Sequence, residues 1–235
     1  MQYTINVLPK SEADCAYLGD NCCFCLPKDI IDKCLLYAEG KSENNKYYGE
    51  NRSADDNDLE KNKRQDAYSK AAECAANAFL VSLGAPGQSI DFNIYKPSEK
   101  TWEPDLGKVC VKSTPIGLGN WMARHSMKRY GVASRDSWTF QWKNKNGVGG
   151  KDKVIFESTP EQQKSIFCIF VAVEKESIDE NCKFWIRSLV RLDRLHKHKL
   201  FRDPIKRERY GVKFCVYDSD LKALQQNLKA SYSLT

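Results

Sequence analysis

Asp105 and Lys112 are the two residues of this 235-residue chain whose types and spacing could do chemistry together. They lie in the stretch Trp102-Glu-Pro-Asp-Leu-Gly-Lys-Val-Cys-Val-Lys-Ser113. On a period of two, Val109 and Val111 face a core, and Lys112 shares the opposite face with Cys110. Leu106 and Gly107 have turn chemistry. A carboxylate at the end of the incoming segment could hold a divalent cation while the ammonium midway along the outgoing strand orients or helps deprotonate a water. The chemistry such a pair suits is hydrolysis of a phosphodiester. A further carboxylate, Glu73, lies among alanines on or near an apolar helical stripe. There it is expensive without a partner or a metal. Two readings stand: a residue at the edge of the stripe, solvated or paired with Lys70 or Asn77, and a metal ligand.

Pro104-Asp105, followed by a short hairpin and Val-Cys-Val-Lys112-Ser, resembles the PD-(D/E)XK nuclease superfamily. The resemblance runs as an ordered series over roughly residues 65 to 175. It implies a restriction-endonuclease-like fold and a site in which Asp105 and a second acid two residues before Lys112 bind Mg²⁺ or Mn²⁺. Cys110 stands where that acid belongs, and hard cations prefer oxygen to a thiol. Three outcomes are open. The metal uses Glu73, Asp105 and the backbone carbonyl of Cys110; the acid has moved to Glu73 or Glu103; or the fold binds without cutting. Asp91 is an alternative to Asp105 as the first acid. The resemblance also implies that Glu73 contributes from the preceding helix and that Gln141 orients water or Lys112. The residues Trp121, Arg124, Lys128 and Arg129 would lie beside the cleft, on phosphates and bases of DNA.

The elements that must position these groups follow from periodicity. Residues 27–38 and 59–83 have apolar spacing of three and four, ended by Gly40 and by Gly84 with Pro86, and are expected as helices. Residues 41–58 are polar and aperiodic, so a loop is expected. Residues 1–7, 90–95, 138–142, 165–173 and 214–217 read as strands, 165–173 as a central one. Residues 184–190 open a strand or a helix, and a helix closes the chain from Asp218. The fold class is therefore α/β, with a mixed central sheet flanked by helices. Residues 1–58 are expected as an acidic, partly irregular N-terminal extension, and 59–235 as the nuclease-like domain.

The net charge of +6 is unevenly spread. Residues 183–213 are strongly basic, and Arg191, Arg194 and Lys197, spaced by three, would line one helical face for phosphates. With ten cysteines, no leader pattern and no apolar run of about 18 residues, a reducing cytoplasmic setting with free thiols and no membrane partner is expected. Cys22 and Cys25, with Cys15 and Cys34 outside them, are an incomplete zinc pattern. In size and composition the chain is similar to small nucleases of phages and mobile elements. The expected activity is a Mg²⁺-dependent deoxyribonuclease, and a homodimer is one assembly open to it. The alternatives are a catalytically inactive nucleic-acid-binding protein on the same fold and a protein-interaction factor.

Overall fold

The computed structural model describes residues 14–47, 56–95, 104–116, 137–143, 150, 152–207 and 211–233. The strands are β1 (Cys15–Tyr17), β2 (Cys23–Cys25), β3 (Val109–Pro115), β4 (Ser137–Lys143), β5 (Phe167–Val173), β6 (Lys183–Arg191), β7 (Arg202–Arg207) and β8 (Gly211–Tyr217). The helices, numbered in chain order, are α1 (Lys28–Tyr47), α2 (Asp56–Ser82), α3 (Lys153–Glu157), α4 (Pro160–Gln163), α5 (Leu192–Lys197) and α6 (Asp218–Ser233). Five strands form one sheet in the order β1-β6-β5-β3, with β2 also paired to β6, and β4-β8-β7 form a second sheet.

The first sheet is mixed. β3 runs parallel to β5, whereas β6 is antiparallel to β5, β1 and β2. Both of its faces are covered, and the strands alternate between two cores. Val109, Val111, Ile169 and Val171 face the layer made by α1 and α2, while Cys110, Cys168 and Phe170 face Trp138 and Phe140 of the second sheet. A strand buried on both faces reads as a continuous apolar run, which is why 165–173 looked central. α2 meets the sheet through Ala67, Ala71, Ala72, Ala75 and Ala76, none more than 2% exposed. Such small side chains let its backbone lie close to β3, and Ser113 on β3 donates to Ser69 Oγ on α2 at 3.2 Å.

Three expectations need correction. Residues 14–47, expected within a separate extension, belong to the same core. β1 and β2 pair with β6, and Ala16, Leu26, Ile31, Cys34 and Ala38 are buried in the cluster that includes α2. The polar run expected as a loop begins inside α1, which continues to Tyr47. Its amphipathic turns are held by ion pairs to α2, Lys41 to Asp66 at 2.7 Å and Lys63 to Glu39 at 2.9 Å. Residues 90–95 form no strand. Ile90 and Phe92 pack on the helical layer, and among the described residues no strand pairs with them, so their alternation records coverage on one side only. The expected strand at 1–7 lies outside the described residues. Among the described residues, no helix is long and apolar enough to cross a membrane.

Candidate active site

The turn before β3 is closed by two backbone hydrogen bonds, from Leu106 to Val109 and back, each of 3.0 Å. Gly107 makes it possible at φ 63°, a left-handed conformation that a side chain would oppose. Across this turn Asp105 Oδ2 accepts the Val111 N–H at 2.7 Å. The turn therefore aims the carboxylate along the strand that carries Lys112. Asp105 keeps an open side to solvent, but the protein crowded around it raises its carboxyl, and Asp152 adds to this, against Lys112, the Val111 N–H and Lys70.

Lys112 is held from the other side. Its ammonium is ion-paired to Asp152 Oδ1. It also lies over the Phe140 ring, 5.2 Å from the centroid. Burial alone would pull the ammonium down, but Asp152 and Asp105 outweigh it and hold Lys112 above the usual lysine range. A lysine held so firmly protonated is a fixed positive charge. It can orient a water or steady an anion, and it is a poor base, which narrows the role expected for it.

Asp152 was not picked out from the sequence. It is buried, accepts the Gln141 N–H on Oδ2 at 2.6 Å, and donates its own N–H to Gln141 O at 3.0 Å. Gln141 is thus tied to Lys112 through Asp152 by its backbone N–H and carbonyl, on β4 of the second sheet. Gly150 makes this contact close. A Cβ there would sit 2.6 Å from Gln141 O and 2.8 Å from Gln141 Cγ. The obstacle includes backbone, so the strand or the Asp152 segment must shift. Gly150→Ala is expected to destabilise the fold by about 1–3 kcal/mol, as overpacking does, measured by urea denaturation. A variant as stable as wild type would mean that this segment gives way freely.

Glu73 comes to the same turn from α2. Its Oε2 accepts from Lys70 Nζ at 2.6 Å, and Lys70 also donates to Asp91 O at 3.0 Å and lies 4.8 Å from the Tyr37 ring centroid. The partner expected on the edge-of-stripe reading is therefore present, in Lys70. Asn77, the other partner considered, bonds Gln88 instead. Even so, burial, with Asp105 second, pushes the Glu73 carboxyl up to about 7 against the pull of Lys70 and Lys41.

A raised carboxyl stabilises the fold only while it is protonated. Its contribution is full below the unfolded value, near 4.5, and is lost as pH rises through about 7. In EDTA, Glu73→Gln should therefore gain on wild type between pH 5 and pH 8 by roughly 1–3 kcal/mol in urea denaturation. Identical pH dependence in the two proteins would refute it.

Asp91, the alternative first acid, is held locally: it accepts Asn93 N–H at 2.9 Å and the Tyr95 hydroxyl at 2.7 Å. Asp105 is the acid that interacts with Glu73, Lys70, Lys112 and Asp152 together. Glu103 lies outside the described residues. The Cys110 side chain is turned into the core between the two sheets, where its partner is the Cys168 thiol of the neighbouring strand. That hydrogen bond, with burial, drives the Cys168 thiol far up. The Cys110 thiol is a core group, because β3 is covered on both faces, and its carbonyl lies on the β5 side of the strand, as does that of Lys108, which accepts the Phe167 N–H, so neither group of Cys110 faces Asp105.

Among the described residues no group of three or more His, Cys, Asp or Glu is placed to hold a metal ion. Two carboxylates raised by burial and by neighbouring acids are, however, an oxygen donor set with excess negative charge. A hard divalent cation that keeps several waters fits such a pair.

The basic residues divide. Arg191 Nη1 lies 2.5 Å from Asp14 and Nε 2.7 Å from Asp193, and Arg194 is ion-paired to Asp14 as well. Arg191 ends a strand and Arg194 belongs to the short helix α5, so the expected single helical face is not formed. Asp14, which is buried, and Asp193 together balance the two guanidinium charges, while Lys197 is exposed. Trp121, Arg124, Lys128 and Arg129 lie outside the described residues. Comparison of the chain with family models, with curated proteins and with solved structures gave no match.

Proposed function

We propose that this chain is a metal-dependent nuclease hydrolysing DNA phosphodiester bonds, on a restriction-endonuclease-like arrangement of its mixed sheet. The observation that carries the reading is the position of Asp105, between a second carboxylate, Glu73, and a lysine kept cationic, Lys112. Glu73 and Asp105 would hold Mg²⁺ or Mn²⁺, which would supply Lewis-acid neutralisation of the scissile phosphate and a more acidic water. Lys112 presents its ammonium to the attacking water or to the charge that develops on the phosphoryl oxygens. Asp152 fixes the height of that ammonium, and Gln141 fixes Asp152. Val111 N–H holds Asp105 in register with the strand.

A second reading is a nucleic-acid-binding protein without cleavage. It draws on the burial of the Cys110 thiol where an acid would complete the site, and on the Lys70 ammonium already paired to Glu73. The deciding experiment incubates linear, circular, nicked and branched DNA with the protein in Mg²⁺ or Mn²⁺, beside Asp105→Asn and Cys110→Glu. Cleavage by wild type that Asp105→Asn loses supports the nuclease. Binding throughout, with cleavage absent from wild type in both metals, supports the second reading.

A further inference from the structure

We infer that the groove beside the Asp105 turn, with Lys108 and Lys153 on its walls, takes the DNA backbone next to the scissile phosphodiester. This rests on the nuclease reading. The groove encloses about 680 Å³, and its lining includes Pro104 and Gly107 on one side and Lys153, Glu157, Ser158 and Gln162 on the other. These segments carry Asp105 and Asp152, the two acids that hold Lys112 charged: Pro104 and Gly107 bracket Asp105 and Leu106, and Lys153 follows Asp152 directly. A strand with a phosphate beside Asp105 would therefore continue into this groove.

The charges suit a polyanion. Lys108 is exposed and has no ion-pair partner among the described residues. Lys153 meets only Glu157, at 3.6 Å and with both side chains about half exposed. An exposed pair of that kind contributes about 0–1 kcal/mol, so a phosphate can displace the carboxylate. The cations expected to track the backbone, Arg191 and Arg194, are instead neutralised by Asp14 and Asp193. Among the described residues, Lys108 and Lys153 bring unneutralised or weakly paired positive charge to this groove. Its walls are firm enough to hold a register. Lys108 O accepts the Phe167 N–H at 2.9 Å, and α4 is closed by a capping box between Thr159 and Gln162.

The test measures binding of a fluorescently labelled linear duplex in EDTA over a range of salt concentrations. It compares wild type with Lys108→Gln/Lys153→Gln and with a control of equal charge change on α1, Lys28→Gln/Lys33→Gln. Each phosphate contact adds about 0.9 to the slope of log affinity against log salt. The groove variant should bind at least tenfold more weakly and lose close to two phosphates' worth of slope, with the control within twofold of wild type. Affinity and slope unchanged in the groove variant, or lowered equally in the control, would overturn the inference while leaving a DNA-cleaving wild type intact. Failure of wild type to bind or cut any DNA would overturn the nuclease reading together with the groove.

Discussion

Asp152→Ala is expected to cost the fold about 3–5 kcal/mol, the loss seen when one partner of a buried ion pair is removed. Lys112 has 18% of its side chain exposed and Asp152 only 8%, so neither charge is well hydrated. In the native protein the attraction of Asp152 and Asp105 exceeds the desolvation of Lys112 and keeps the ammonium charged. With Asp152 gone, Asp105 remains, but it is tied to Val111 N–H. The Gln141 N–H also loses its acceptor, and an unpaired buried donor costs about 1–3 kcal/mol by itself. Removing both charges tests whether the loss belongs to the pair. Lys112→Met/Asp152→Leu should be more stable than Asp152→Ala, because no buried charge is left alone. Urea denaturation of the three proteins decides it. A loss under about 1 kcal/mol in Asp152→Ala would mean that water already compensates Lys112 and that the pair behaves as a surface one.

The strand that carries the site was readable because its signal is local. Val109 and Val111 face the helical core and Cys110 and Lys112 the other side, as a period of two requires. Leu106 and Gly107 form the turn, and Glu73 sits on the helix that the alanine spacing described. What failed was information carried by distant residues. Asp152 is 40 positions from Lys112 in a stretch with no periodicity, and Asp14 is 180 positions from Arg194. No pattern in either segment announces the partner.

β1 and β2 have three residues each, too few for an alternation to be distinguished from chance. Once they add to β6, the segment expected as an extension becomes part of the sheet. The opposite error at 90–95 has the same root. Alternation reports that one side of an extended chain is covered, and it is silent on whether another backbone lies alongside. Cys110 shows a third limit. The face it shares with Lys112 was expected only to lie opposite the core of Val109 and Val111, and the second sheet covers it at Cys110, so a thiol fits there where a carboxylate would need a partner.

Lys112→Ala is expected to slow DNA cleavage by about 10²–10³, the usual loss when one preorganised electrostatic group is removed from a transition state. The duplex affinity should stay within about threefold, since a single charge inside the site contributes little to the backbone contacts that dominate binding. The argument turns on the protonation state. A general base must be deprotonated near the working pH, and Asp152 and Asp105 hold Lys112 well on the other side of that condition. A fixed ammonium therefore leaves no alkaline limb of its own in the rate. Any rise of cleavage with pH as the metal-bound water ionises should persist in Lys112→Ala, and Lys112→Arg should recover little, because a planar fork cannot take the place of a compact ammonium between Asp152 and the Phe140 ring. Single-turnover cleavage over pH in saturating Mg²⁺, for wild type, Lys112→Ala and Lys112→Arg, separates the possibilities. A rise of rate at high pH that Lys112→Ala abolishes would make Lys112 a base after all. A rate for Lys112→Ala within tenfold of wild type would remove it from the chemistry and leave Asp105 and Glu73 to act without it.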